Sequence, residues 1–110
     1  KGARMDYSNL KNSKLIFCNF SQASLENCDI SNAKLMFSVL QNTRLNSSNL
    51  KNVFLVGAKV NSSELKDTIL EYTNLTKADF SKSILNGSKM NGVLDNETNY
   101  EGASLKGVTR

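Results

Sequence analysis

The large apolar residues of this chain recur every fifth position. Met5, Leu10, Leu15, Phe20, Leu25, Ile30, Leu35, Leu40, Leu45 and Leu50 open the series. Leu55, Val60, Leu65, Leu70, Leu75, Phe80, Leu85 and Met90 continue it, Asp95 interrupts it, and Tyr100 and Leu105 resume it. Two residues before each of these stands a small side chain, from Ala3, Ser8 and Ser13 through to Thr98, Ala103 and Val108. An amphipathic helix repeats near 3.6 residues and a half-buried strand near 2, so neither explains two columns held in phase along the whole chain. A period of five with two inward positions predicts a short extended side followed by a corner. The large residue fills the axis, the small one sits where backbones crowd, and the other three face solvent. Such coils stack through backbone hydrogen bonds at the β spacing of about 4.8 Å. The intervening Asn, Ser, Lys, Asp and Gly suit turns. The sequence contains no proline, as expected where every coil must donate to a neighbour.

The units SNLKN, SKLIF, CNFSQ, ASLEN, CDISN, AKLMF, TNLTK, ADFSK and ASLKG resemble the pentapeptide repeat family, and the resemblance runs over residues 3 to 109. It implies an all-β fold, a right-handed quadrilateral β-helix with four pentapeptides per coil. Residues 1–110 would then be a single solenoid domain of about five coils. Residues 20 apart lie above one another in such a coil, so the apolar positions sort onto four faces. The first is centred on Met5 and Leu25, the second on Leu10 and Ile30, the third on Leu15 and Leu35, and the fourth on Phe20 and Leu40. The fourth also holds Phe80 and Tyr100, so a bulge or a different turn is expected there. The stretch 91–110 is expected to be an irregular end. A buried unpaired carboxylate is costly, which predicts that Asp95 turns out and Leu94 packs in.

Composition narrows the chemistry. The chain has no histidine, which removes the commonest general base and metal ligand. Its two cysteines, Cys18 and Cys28, occupy inward small positions on opposite walls of one coil. They are expected to be reduced, buried thiols. No catalytic residue, cofactor site or metal site is expected. No apolar run approaches the roughly 20 residues of a membrane helix, and no signal-peptide pattern precedes the repeats. The expectation is therefore a cytoplasmic protein without a membrane partner, and the family resemblance implies a bacterial one. Fourteen basic residues against ten acidic give a net charge of +4. Lys34, Arg44, Lys51 and Lys59 fall on four different faces, which argues against a nucleic-acid groove.

One surface feature departs from the repeat. On the third face, Ile16, Phe17, Met36, Phe37, Phe54 and Val56 occupy positions where the pattern wants polar residues. Contiguous exposed apolar groups usually mark an interface. These six are the candidate partner-binding residues, for a second protein or a second copy. The competing readings are a ladder of stacked side chains that only stabilises the coil, or cover by a further segment of the chain. The open edge of the first coil is a second place for self-association. Ile69, Tyr72 and Ile84 share no column and read as scattered surface residues. The expected function is a non-catalytic protein-protein interaction module or structural scaffold. The resemblance also implies an alternative, since some members inhibit or protect a type II topoisomerase by mimicking DNA and so confer quinolone resistance. Those proteins have strongly acidic surfaces and commonly a C-terminal helix. The basic balance of this chain, and its repeat phase up to Arg110, count against that role.

Overall fold

A computed structural model describes residues 2–110. Every bridge pairs residues 20 apart in parallel, from Arg4↔Ser24 to Lys89↔Thr109, so four pentapeptides make one coil. The chain winds as the right-handed quadrilateral β-helix that the repeat implied. It measures 27 × 20 × 20 Å.

Each pentapeptide with a coil on both sides makes the same three links between coils. The residue before the inward centre donates its N–H to the coil beneath, as Ser24 does to the Ala3 carbonyl. The centre and the second corner residue donate to the coil above, as Leu25 does to Arg44 and Asn27 to Asn46. The corner is a β-turn. The small residue donates back to the centre, as Ala33 N–H does to Ile30 O, and the third turn residue takes positive φ as in a type II turn. All corners from Gly2 to Gly107 share that conformation, including Phe17 at +61°, Phe37 at +59° and Glu97 at +58°. The fourth face therefore has no different turn, contrary to expectation. Phe80 fits fully inside and stacks on Tyr100, with ring centroids 6.1 Å apart.

The axis is filled by the large column, with Leu25 through Met90 buried, and the small column lines the walls. Met5, Leu10, Leu15 and Phe20 of the first coil are only partly buried, because they are covered from one side. The axis keeps a void of about 10 Å³ lined by apolar residues such as Leu35 and Leu50. Ligand pockets run to roughly 300–1,000 Å³, so this void is a packing gap.

The stretch 91–110 is not irregular. It stays in register through the bridges Asn74↔Leu94, Asp79↔Asn99, Ile84↔Ser104 and Lys89↔Thr109. Nor do Leu94 and Asp95 exchange places. Leu94 is 57% exposed, and Asp95 keeps the inward position. Its carboxylate is not unpaired there, since Tyr100 Oη donates to Oδ2 at 3.0 Å and Arg110 Nη2 at 2.6 Å. Burial alone would raise the pKa of Asp95, but the hydrogen bonds from Arg110 and Tyr100 outweigh it and hold the carboxyl below its usual range. Tyr100 responds in the opposite sense, pushed up by burial and by the neighbouring Asp95 charge. The upper end of the axis is thus closed by a polar group of three residues.

Candidate interaction face

The corner between the third and fourth faces brings the predicted residues together. Its first position reads Ile16, Met36, Val56, Thr76, Asn96 up the stack, and its second reads Phe17, Phe37, Gly57, Lys77, Glu97. Phe17 and Phe37 stack with centroids 5.3 Å apart and planes 16° apart. The ladder goes one step further. A Cβ on Gly57 would come within 2.6 Å of Phe37 Cδ1 and Cε1, so the Phe37 ring lies against the Gly57 backbone. Gly57 has a role that the apolar pattern alone does not reveal. The 20-residue period applied to the corner columns carries the signal.

Stacking does not bury the aromatic pair. Phe17 remains 74% exposed and Phe37 51%, while Phe54 on the adjoining side is 42% exposed and Ile16 41%. Met36, Val56 and Val39, which lies just past the corner, are half-buried. The apolar residues occupy three successive coils. Exposed Lys14 and Lys34 lie on the side of Phe54, Lys59 lies above Val39, and Lys77 lies above Gly57. The ion pairs among the described residues are Arg44–Glu26 and Arg110–Asp95, and neither uses these lysines.

Elsewhere the surface offers less. Tyr72 lies against Gly92 as Phe37 does against Gly57, with Lys51 Nζ 5.9 Å from its ring centroid, but Ile69 stands in a different column of that face and Ile84 on the first face. Acidic groups gather at the first corner, where the Ser24 hydroxyl and the Glu26 N–H hold Asp6 below the usual carboxylate range. Asn46 Nδ2 bridges Glu26 and Glu64 at 2.9 and 3.1 Å. The column beginning Asp6, Glu26 continues as Asn46 and Lys66, so no continuous negative stripe forms. Cys18 and Cys28 are free thiols. Burial pushes the Cys28 thiol pKa up, the wrong direction for a nucleophile. Among the described residues no group of three or more acidic, cysteine or histidine side chains could hold a metal. None of their helices is long and apolar enough to cross a membrane.

The model of the family described as pentapeptide repeats matches residues 3–41, 28–67 and 62–94, with eight copies. The chain belongs to the pentapeptide repeat family. No curated protein matches the sequence. Solved pentapeptide repeat structures do resemble it. One from the thylakoid lumen of Arabidopsis thaliana has a TM-score of 0.74 at 21% identity, over 90% of this chain and 66% of that one. Rfr23 from the cyanobacterium Cyanothece 51142 has a TM-score of 0.64 at 24% identity, over 96% and 90%. HetL of Nostoc sp. strain PCC 7120, a pentapeptide repeat protein involved in heterocyst differentiation regulation, has a TM-score of 0.53 at 19% identity, over 98% and 60%. This chain thus spans about two thirds of the Arabidopsis protein and less of HetL. At these identities the likeness concerns the pentapeptide repeat fold, and the aromatic corner is a matter of this chain's own residues.

Proposed function

We propose that the chain is a non-catalytic interaction module, a rigid β-helix that presents one apolar corner to a protein partner. The observation that carries this reading is the Phe17–Phe37 stack. Both rings sit at positive φ, a conformation that favours Gly, Asn or Asp and penalises bulky residues. Both stay largely exposed. A ladder serving only stability would gain more by burying them, since apolar side chains stabilise in proportion to the area removed from water. A partner that covers the corner supplies the missing burial. The absence of a continuous acidic stripe argues against DNA mimicry, and addition of the chain to a gyrase supercoiling reaction is expected to leave the rate unchanged.

The test is the double substitution Phe17→Ser and Phe37→Ser. It is expected to leave the circular dichroism spectrum intact and to abolish a specific association seen with the wild type, by pull-down or by sedimentation velocity. The same associations at the same strength in a folded double variant would end this reading.

A further inference from the structure

The rim of the corner says what kind of partner fits it. We propose that the occupant is an acidic amphipathic protein segment, apolar on the side that meets Phe17, Phe37, Phe54 and Val56 and carboxylate-rich along its edges; this rests on the interface reading above. Lys14, Lys34, Lys59 and Lys77 border the apolar area and are exposed, and the ion pairs among the described residues leave all four aside. Of the carboxylates in the same columns, Asp79 stands above Lys59 at the height of Lys77 and accepts from Ser81 N–H, while Glu97 belongs to the fifth coil, so beside the three apolar coils themselves the rim carries lysines and no carboxylate. An apolar centre with a mainly basic rim, four lysines against Asp79, selects the opposite sign, because complementary potentials steer encounter and like charges repel wrong partners. That rule disfavours a second copy of this chain. A two-fold dimer sets the same patch against itself, and here it would bring two lysine-dominated rims together, eight lysines against two Asp79 carboxylates.

The spacing also fits a helix. Coils stack at about 4.8 Å and an α-helix rises about 5.4 Å per turn, so anchors one turn apart meet successive coils. A nucleic acid fits less well. Phe17 and Phe37 are already stacked on each other at 5.3 Å, which leaves no slot between them for a base, and single-strand sites depend on such platforms.

The experiment uses fluorescent amphipathic helical peptides with Leu and Phe anchors one turn apart. Their flanking positions are Glu in one peptide, Gln in a second and Lys in a third, and an oligothymidylate serves as the nucleic-acid probe. Anisotropy titrations are expected to show the Glu peptide binding about ten-fold tighter than the Gln peptide, because exposed ion pairs are individually weak and several must sum. The preference should fade as salt rises toward about 1 M, where screening reaches within about 3 Å. A Lys34→Gln, Lys59→Gln, Lys77→Gln variant should lose the preference and still bind the anchors, whereas the Phe17→Ser, Phe37→Ser variant should bind neither peptide. Equal affinity for Glu and Gln peptides would overturn the acidic occupant and leave the interface reading standing. Tighter binding of the oligothymidylate than of any peptide would overturn it in favour of a nucleic acid. Wild-type self-association lost in the phenylalanine variant would overturn it in favour of a second copy. No binding by any probe would overturn it, and the interface reading falls with it only if the pull-down is also unchanged.

Discussion

Glycine at position 57 is explained by what lies against it more than by its backbone. Its φ is +66°, but non-glycine residues from Tyr7 to Glu97 hold the same region at other corners. What distinguishes Gly57 is the Phe37 ring, which a Cβ would meet at 2.6 Å. Gly102 has the same backbone sign, and there a Cβ would meet nothing closer than the flexible Lys82 Cγ at 3.4 Å. Both Gly→Ala changes should cost about 1 kcal/mol for the left-handed conformation. Gly57→Ala should cost about 1 kcal/mol more through overpacking, read by urea denaturation, and should shift the Phe17 and Phe37 ring resonances. Equal costs at the two sites would remove the argument. Asp95 carries a second expectation, in pH. Its pKa is lowered in the fold from the ordinary 3.8, so its contribution is complete above that value and is lost as pH falls through the lowered one. The thermal midpoint of Asp95→Asn should therefore be less pH-dependent below about pH 4 than that of the wild type; parallel curves would contradict it. The inward apolar columns were legible because the backbone repeats without insertion. At Asp95 hydropathy and register point in opposite directions, and register prevails. The register is set by bonds such as Leu94 N–H to Thr73 O, and the partner that makes an inward carboxylate tolerable, Arg110, stands 15 residues away.

Within one side of the coil, the small column does more than avoid crowding. Ser48 Oγ donates to Leu25 O at 2.6 Å and accepts from Cys28 N–H at 3.0 Å. Ser63 Oγ repeats this with Leu40 O and Thr43 N–H, and Ser83 Oγ with Val60 O and Ser63 N–H. A buried serine here fastens its coil to the one beneath through the corner of that lower coil. At Cys28, Thr43 and Ser63 the small residue's N–H points to the hydroxyl above, where corners such as Ala23, Ala58 and Ala78 close the turn on themselves. The sequence showed that these positions are small, but not that a hydroxyl is used, since Ala23, Ala58 and Ala78 fill equivalent places. The difference depends on what lies 20 residues away. Ser63→Ala removes bonds to Leu40 O and Thr43 N–H inside the fold, and leaving buried polar groups unpaired costs about 1–3 kcal/mol. Differential scanning calorimetry should find the midpoint lowered by about 4 °C for each kcal/mol lost. An unchanged midpoint would mean that water or a relaxed turn replaces the hydroxyl.

As a whole the molecule is a one-dimensional stack, in which each coil rests on its neighbours and on nothing else. The consequence is a gradient of stability along the axis. Leu50 and Leu10 occupy the same inward column, but Leu50 is 1% exposed with coils on both sides, whereas Leu10 in the first coil is only partly buried. Deleting a fully buried leucine side chain costs about 3–5 kcal/mol, through lost transfer energy and the cavity left behind. That is a large share of the roughly 5–15 kcal/mol that holds a typical domain together. Leu50→Ala should accordingly lower the urea midpoint of the entire transition, and native-state hydrogen exchange should show every coil losing protection together. Leu10→Ala should cost roughly half as much, in proportion to the smaller area it removes from burial. Its loss should be confined to amides of the first two coils, such as Leu10 and Asn12, which donate upward to Asp29 and Ser31. The interaction corner spans that gradient: Phe17 belongs to the frayable first coil, while Phe37 and Phe54 belong to the protected interior. A partner covering all three would tie the first coil to the second and third, so that exchange at Leu10 and Asn12 slows on binding. Equal cost and equal spread for the two leucine variants would mean that the stack unfolds as one unit, and no binding-linked protection of the first coil would then be expected.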